Sequence, residues 1–207
     1  IDRSLVGSEM CIRDRYHHGN LRDEILSAAY SFVLENGYAA MSLRSIAENC
    51  NVSATAIYRH YKTKEHLLAD VVVKGFIEFN LFVEGDSEAN IFDKCDNYLE
   101  FAFDNKNIYD LLFSQSVVEF LQFPNILEVA DSSFQTLLES VKEHDRSLND
   151  LSASNKAIHI WSFLHGISSI SKKMDVALSL PDSEMPIPVR SVKRARSNLR
   201  QFIEDLF

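Results

Sequence analysis

Apolar residues recur at intervals of three and four along most of this 207-residue chain. This spacing buries one face of an α-helix, and no stretch shows the strict alternation that marks a half-buried strand. The first helical stretch has its apolar face on Leu21, Ile25, Ala28 and Phe32. The pattern predicts an all-α protein with about nine helices.

Polar residues that can cap helices divide the N-terminal part into short units. Ser42, Ser53 and Thr63 each precede a helical run, and their hydroxyl oxygens can accept hydrogen bonds from the first free N–H groups of a helix. Asn51 stands in the short turn between the second and third units, where a positive φ is expected and Asn tolerates it. Two helices joined by such a turn form a helix-turn-helix, whose second helix enters the major groove of DNA.

Beyond residue 70 the helical pattern continues to the end of the chain. A predicted fourth helix runs to about Val83 and belongs to both halves of the protein. Three prolines in the segment 180–188 predict a loop before the last helix. The other helices are predicted near 88–104, 107–120, 124–145, 150–173 and 189–206.

Charge is distributed unevenly. The net charge of the chain is −9, yet residues 13–74 carry eight lysines and arginines against seven acidic residues. A chain this acidic cannot bind DNA through bulk charge and must present a local positive face. Any such binding should weaken with salt, because counterions return to the phosphates.

Several functional classes lack support in the sequence. We find no HExxH, no glycine-rich phosphate loop, no Ser/His/Asp order and no paired catalytic carboxylates, so we predict no catalytic residues, no metal and no cofactor. Three scattered cysteines suggest neither a disulfide framework nor a zinc cage, and they fit a reduced cytoplasm. No apolar run approaches the roughly 20 residues that span a bilayer, so we predict no membrane contact. The alternative is an all-α enzyme or ligand-binding module in which the helix-turn-helix is only scaffold.

Four segments together resemble the TetR family of transcriptional regulators. They are Tyr16–Arg22, Ser42–Ala47, Val52–Tyr61 and Lys64–Leu68, and the match runs for about fifty residues without a gap. The chain departs from the family at Asn51, where Gly is usual. The resemblance implies an N-terminal helix-turn-helix domain at 15–66 and a C-terminal effector-binding and dimerisation domain at 67–207.

The resemblance also implies which residues contact DNA: Arg44, Ser53, Thr55, Ala56, Tyr58, Arg59, His60, Tyr61 and Lys64. Thr55 can reach base edges, and the aromatic residues resemble the family's phosphate contacts. Lys64 begins a helix, where its charge and the free N–H groups favour a phosphate. As alternatives, Tyr58 and Tyr61 are packing residues, and Arg44 and Arg59 are solvated surface charges. The segment 15–18 is either an arm over the adjacent groove or a linker.

A second signature lies in the segment Ile160–Ile167, which is similar to the "W…HG" segment of one TetR subgroup. In the family the last two long helices pair with their copies, and the homodimer sets two reading helices about 34 Å apart on a pseudo-palindromic operator of double-stranded DNA. The expected function is that of a repressor released by an unknown small-molecule effector. Candidate effector contacts are Tyr98, Phe101, Phe113, Trp161 and His165. The alternatives are an ordinary helical core and, for His165, a hydrogen-bonded histidine near the dimer interface.

The first fourteen residues show no periodicity. The string from Val6 to Asp14 resembles translated adaptor sequence. We interpret residues 1–14 as a non-native or disordered extension and exclude them from the fold prediction.

Overall fold

The computed structural model describes residues 21–113 and 122–207, and within these ranges every regular element is a helix. The prediction of an all-α fold is confirmed. The predicted arm at 15–18, the extension at 1–14 and the second half of the predicted helix 107–120 lie outside the described residues. The bounds are α1 Leu21–Asn36, α2 Leu43–Asn49, α3 Ala54–His60, α4 Lys64–Glu84, α5 Ile91–Asp104, α6 Lys106–Leu112, α7 Pro124–His144, α8 Asp150–Lys173, α9 Asp175–Leu178, α10 Ile187–Ser197 and α11 Leu199–Glu204.

Side-chain caps begin the three helices that follow α1, as the sequence predicted. Ser42 accepts a hydrogen bond from the Ser45 N–H at 3.1 Å, and Ser53 accepts one from the Ala56 N–H at 3.2 Å. Thr63 accepts from the N–H of His66 at 3.4 Å. Such caps satisfy N–H groups that have no partner within the helix. Between α2 and α3 Asn51 adopts a φ of 55°, which confirms the left-handed turn position.

The helix α4 runs through both halves of the molecule. Its first part packs on α1, and its later part contacts α5, α6 and α7. Gly75 lies where α4 crosses α6, because a Cβ atom added there would come within 3.0 Å of Leu112 Cδ2. A second tie joins α6 to the N-terminal domain, where the Asn107 side-chain amide donates to the Leu34 carbonyl of α1 at 2.8 Å.

The C-terminal part differs from the prediction in two places. The segment after α8 forms the short helix α9, and the predicted last helix is divided into α10 and α11 at Asn198. Asn198 has φ −127° and ψ 36°, and its side-chain amide donates to the Arg194 carbonyl at 2.9 Å. The Arg194 carbonyl also accepts the backbone N–H of Asn198 at 3.0 Å, so the last helical bond of α10 is kept, and the non-helical backbone of Asn198 separates α10 from α11. Eleven helices are therefore described, against about nine predicted.

None of the described helices is long and apolar enough to cross a membrane. No group of three or more His, Cys, Asp or Glu side chains within the described ranges could hold a metal ion. Burial raises the pKa of the half-buried Cys50 thiol, which disfavours the reactive thiolate form.

Candidate nucleic-acid interface and effector cavity

The helix α3 docks through one side and leaves the opposite side open. Ile57 is its one buried residue and has no exposed surface. Since successive helical residues are turned by about 100°, Thr55 and Arg59 lie opposite Ile57, and both are exposed. Tyr58, on the flank of this face, keeps 55% of its surface exposed. We call this surface the α3 face; it has the shape and the donors to meet a DNA groove.

The remaining predicted contacts surround the α3 face. Arg44 on α2 has 86% of its side chain exposed and forms a 3.3 Å ion pair with Glu48, one turn along the same helix. An exposed pair of this kind is weak, so the guanidinium can exchange Glu48 for a phosphate at little cost. Lys64 is half-buried, and its ammonium donates to the Ala39 carbonyl at 3.3 Å. That contact links the start of α4 to the α1–α2 loop.

Three smaller features complete the α3 face. Ser53 caps α3 with its hydroxyl, so that its exposed side chain also has a structural role. Ala56 is half-buried, whereas His60 at the end of the helix is exposed. Lys62, exposed in the α3–α4 turn, adds a cation that the sequence prediction omitted. The sequence could have indicated Lys62 because it is a cation in the short turn after α3, but the family resemblance covered its neighbours instead.

Tyr61 requires a correction. It is 2% exposed, and its hydroxyl donates to Asp70 at 2.8 Å, with the Arg22 guanidinium 3.5 Å from the same oxygen. Burial raises the pKa of Tyr61 to about 12, which keeps the phenol protonated as a donor to Asp70. Tyr61 therefore packs in the core of the N-terminal domain and does not lie on the α3 face. Its spacing of four residues from Ile57 could have indicated this inward orientation.

The C-terminal domain contains an apolar cavity of about 340 Å³. Of the five candidate effector residues, Tyr98, Phe113 and Trp161 line it. Phe101 does not; its ring packs against Phe79, with centroids 5.2 Å apart. The lining residues that the sequence did not single out include Phe76, Phe79, Val83, Leu137, Ile158 and Leu164. They come from α4, α7 and α8, and their convergence depends on tertiary packing.

Several polar side chains in the cavity wall are bonded within the protein. The Ser140 hydroxyl donates to the Thr136 carbonyl at 2.9 Å, and the Lys94 ammonium pairs with Glu84 at 2.9 Å. The Tyr98 hydroxyl is 2.9 Å from the Tyr109 hydroxyl. An occupant of this cavity would consequently be held mainly by apolar contact and by shape.

His165 lies outside the apolar cavity and borders a second cleft of about 480 Å³. Its Nδ1 atom is 2.9 Å from the Tyr109 hydroxyl, which extends the hydrogen-bonded chain from Tyr98. Burial, reinforced by the Lys172 ammonium, lowers the pKa of His165, so the ring is neutral near pH 7. His165 does not line the apolar cavity, and its role as an effector contact stays a prediction. Its hydrogen bond with Tyr109 agrees with the alternative interpretation of His165 as a hydrogen-bonded histidine.

One face of α8 has no neighbour within the described chain. A Cβ atom added at Gly166 would have no atom within 4 Å, so no contact in the described structure requires glycine there. Ile158 and Ile170 on α8 and Phe202 on α11 are each about 40% exposed. The Phe163 and Phe202 rings stack with centroids 5.6 Å apart and thereby join α8 to α11. We call this surface the α8–α11 face.

Comparison with known proteins gives matches at both ends of the chain. The family model for bacterial regulatory proteins of the tetR family matches residues 25–71, and the model for the tetracyclin repressor-like C-terminal domain matches residues 91–184. The transcriptional repressor KstR of Rhodococcus jostii (strain RHA1) is 33% identical over 55 residues, which are 27% of this chain and 26% of that protein. The chain thus spans about a quarter to a third of the length of the curated relatives it matches.

Solved structures share the fold over most of the chain. A protein of unknown function from Rhodococcus sp. RHA1 has a TM-score of 0.64 at 21% identity, covering 89% of this chain and 96% of that one. The regulator FadR from Bacillus subtilis, solved in complex with stearoyl-CoA, has a TM-score of 0.59 at 20% identity, covering 85% and 97%. The two matching family models together take up more than half of the sequence. The chain therefore belongs to the TetR family of bacterial regulatory proteins.

Proposed function

We propose that this protein is a homodimeric, sequence-specific repressor of transcription that acts in the cytoplasm and leaves a pseudo-palindromic operator when a small molecule binds. The observation that carries the proposal is the α3 face. Thr55 and Arg59 are exposed directly opposite the buried Ile57, and Tyr58 flanks them. Thr55 and Arg59 would read base edges, while Tyr58, His60, Lys64 and Arg44 would hold phosphates.

The proposed dimer uses the α8–α11 face. Gly166 costs α8 about 1 kcal/mol of helix stability relative to alanine, and no neighbour in the described chain gains from it. A helix of a second copy crossing at this point would gain, because two backbones approach closely where a Cβ is missing. Exposed Ile170 and Phe202 would then be covered by the partner. Family membership supports the same pairing of the last long helices.

Release from the operator requires that the effector favour a domain arrangement that does not fit DNA. A ligand that bound both arrangements equally would change nothing. Two structural links can carry the shift: α4, which belongs to both domains, and α6, whose Leu112 lines the cavity while Asn107 bonds α1. Movement of α6 would thus change both the wall of the cavity and the position of α1 in the N-terminal domain.

Selection of bound duplexes from a random DNA pool tests the proposal directly. We expect enrichment of a palindrome by the wild-type protein, and its loss in the Tyr58→Ala/Arg59→Ala double variant. Two tyrosines at the end of α3, the exposed Tyr58 and the buried Tyr61 that directly follows the helix, provide a matched pair. Tyr58→Phe should weaken operator binding by the dimer about 5- to 100-fold, since one phosphate hydrogen bond is lost in each of the two subunits, whereas Tyr61→Phe should leave it nearly unchanged.

The Tyr61→Phe control is expected to cost stability only. Its buried hydroxyl donates to Asp70, and losing that bond should lower the free energy of unfolding by about 1 kcal/mol. Equal effects of the two variants on operator affinity would contradict the assigned orientation of α3. The proposed function would fail if the folded wild-type protein enriched no sequence after removal of any co-purified ligand.

Asn107→Ala is expected to reduce the response to the effector. The variant loses the 2.8 Å hydrogen bond from α6 to the Leu34 carbonyl, so movement at the cavity is passed less well to α1. Operator affinity without ligand should stay within about threefold, while the ligand-induced loss of affinity should fall about 5- to 10-fold, a typical share of an allosteric coupling. Operator titrations with and without ligand measure both numbers. An unchanged ligand response would show that α6 is not a coupling element.

A further inference from the structure

The second cleft lies at the boundary between the two domains. Tyr38 from the α1–α2 loop forms one side of it, and Tyr109 of α6 with His165 and Lys172 of α8 form the other. We call it the basic cleft. A molecule bound there would touch the N-terminal domain directly, which an occupant of the apolar cavity would not.

Charge in the basic cleft is positive although the chain as a whole is strongly acidic. Lys172 and Lys173 face a single carboxylate, Asp110, which pairs with Lys172. The Lys172 ammonium also lies 4.3 Å from the centre of the Tyr109 ring. Lys173 is exposed and forms no ion pair with another described residue. Two ammonium groups beside aromatic rings and a neutral imidazole suit a carboxylate or phosphate group.

Phe113 lines both the apolar cavity and the basic cleft. On the cavity side its ring packs against Phe79, with centroids 5.7 Å apart. On the cleft side it packs against Tyr109 at 4.7 Å and His165 at 5.4 Å. The half-buried Phe113 side chain therefore borders both an apolar compartment and a basic one.

We propose that the effector is an amphipathic anion, whose hydrocarbon part occupies the apolar cavity and whose carboxylate or phosphate binds Lys172 and Lys173 in the basic cleft. This inference rests on the proposed function, since it names the ligand class of that effector site. The cavity of about 340 Å³ has room for about ten methylene groups, if each needs about the 30 Å³ share of a water molecule. Among the described residues no carboxylate lines the apolar cavity, so none of them would give a cationic occupant a counter-charge there.

The anionic group would also supply the regulatory contact. In the basic cleft it would lie beside Tyr38, in the loop that leads from α1 to α2. The Ala39 carbonyl in this loop accepts a hydrogen bond from Lys64 at the start of α4. A shift of the loop would thus reach the helices that carry the α3 face.

Trp161 makes ligand binding measurable without DNA. It is the single tryptophan of the chain and lines the apolar cavity, so its emission reports occupancy. We would titrate dodecanoate, dodecyl phosphate, dodecanol and dodecyltrimethylammonium below their micelle-forming concentrations, with the octyl and hexadecyl series alongside. The two anions should bind at least tenfold more tightly than the alcohol, and the cation should bind more weakly than the alcohol.

Lysine variants test the basic cleft itself. Lys173→Gln keeps the Lys172–Asp110 pair and should weaken dodecanoate binding about fivefold, the upper range for an exposed charge contact. Its effect on dodecanol should be nil. Lys142→Gln is the matched control. The Lys142 ammonium pairs with the Asp150 carboxylate at 2.7 Å, and neither residue lines the apolar cavity or the basic cleft. This variant should change neither affinity.

Two results would overturn the inference. One is equal binding of dodecanoate and dodecanol with no effect of Lys173→Gln, which would leave the basic cleft without a role. The other is an unchanged Trp161 emission with every probe and chain length. Operator affinity of the ligand-free protein is measured separately in the same preparation. If the ligand-free protein bound no operator, the proposed function would be refuted, whereas the fluorescence titrations test only the proposed class of ligand.

Discussion

Gly166→Leu is expected to convert the protein to a monomer and to lower operator affinity about a thousandfold. The added side chain would project from the α8–α11 face into space that no described atom occupies within 4 Å. In the proposed dimer this space belongs to the partner helix, so the new side chain would hold the two backbones apart. A dimer gains about 10²–10⁴ in affinity by engaging two half-sites at once, and the monomer would lose that gain.

The same geometry predicts that the Gly166→Leu monomer remains folded. A Cβ atom at this position meets no described atom within 4 Å, and the helix itself gains from losing a glycine. Sedimentation should give the monomer mass, and the circular dichroism spectrum should match that of Gly166→Ala, while the thermal midpoint should be lower because the monomer lacks the stabilisation that dimerisation provides. The alanine variant, with one added carbon, should remain largely dimeric. A Gly166→Leu variant that stays dimeric, or a monomeric wild-type protein, would contradict the proposed interface.

The sequence was most informative where the physics is local. Ser42, Ser53 and Thr63 cap helices, and Asn51 takes positive φ, because each depends only on a few neighbouring residues. The helices α4, α7 and α8 begin and end close to the predicted positions for the same reason. Periodicity and caps are properties of the chain itself, so they can be found without knowledge of the tertiary fold.

The sequence prediction and the structure differ where tertiary packing, or the backbone conformation of a single residue, determines the local structure. Tyr61 follows the same face as Ile57, yet the family resemblance placed it toward phosphates. Phe101 lies one helical turn from the cavity residue Tyr98, and His165 directly follows the cavity residue Leu164, but only the packing of α4, α5, α6 and α8 determines which rings reach the cavity. Asn198 interrupts a pattern that is periodic on both sides of it.

Ile57→Ala is expected to lower the free energy of unfolding of the N-terminal domain by about 3 kcal/mol. Ile57 is fully buried and is the one residue by which α3 enters the core, so the deletion removes apolar contact and leaves a cavity. Since α3 carries the proposed base contacts, part of the protein would lose the α3 face even when the C-terminal domain stays folded. Operator affinity should therefore fall as well, by the fraction of molecules with α3 detached.

The measurement has to see the N-terminal domain. Trp161 lies at the apolar cavity, so its emission reports on the other domain, and hydrogen exchange of the α3 amides is the suitable probe. Thr55→Ala on the opposite side of α3 is the matched control. We expect it to change stability by less than about 0.5 kcal/mol while altering which operators are bound. If the α3 amides were equally protected from exchange in the two variants, Ile57 would not anchor α3. The outward direction of Thr55 and Arg59 would then lose its structural basis. If only Ile57→Ala loosens α3, a single buried side chain fixes how the proposed reading residues meet DNA.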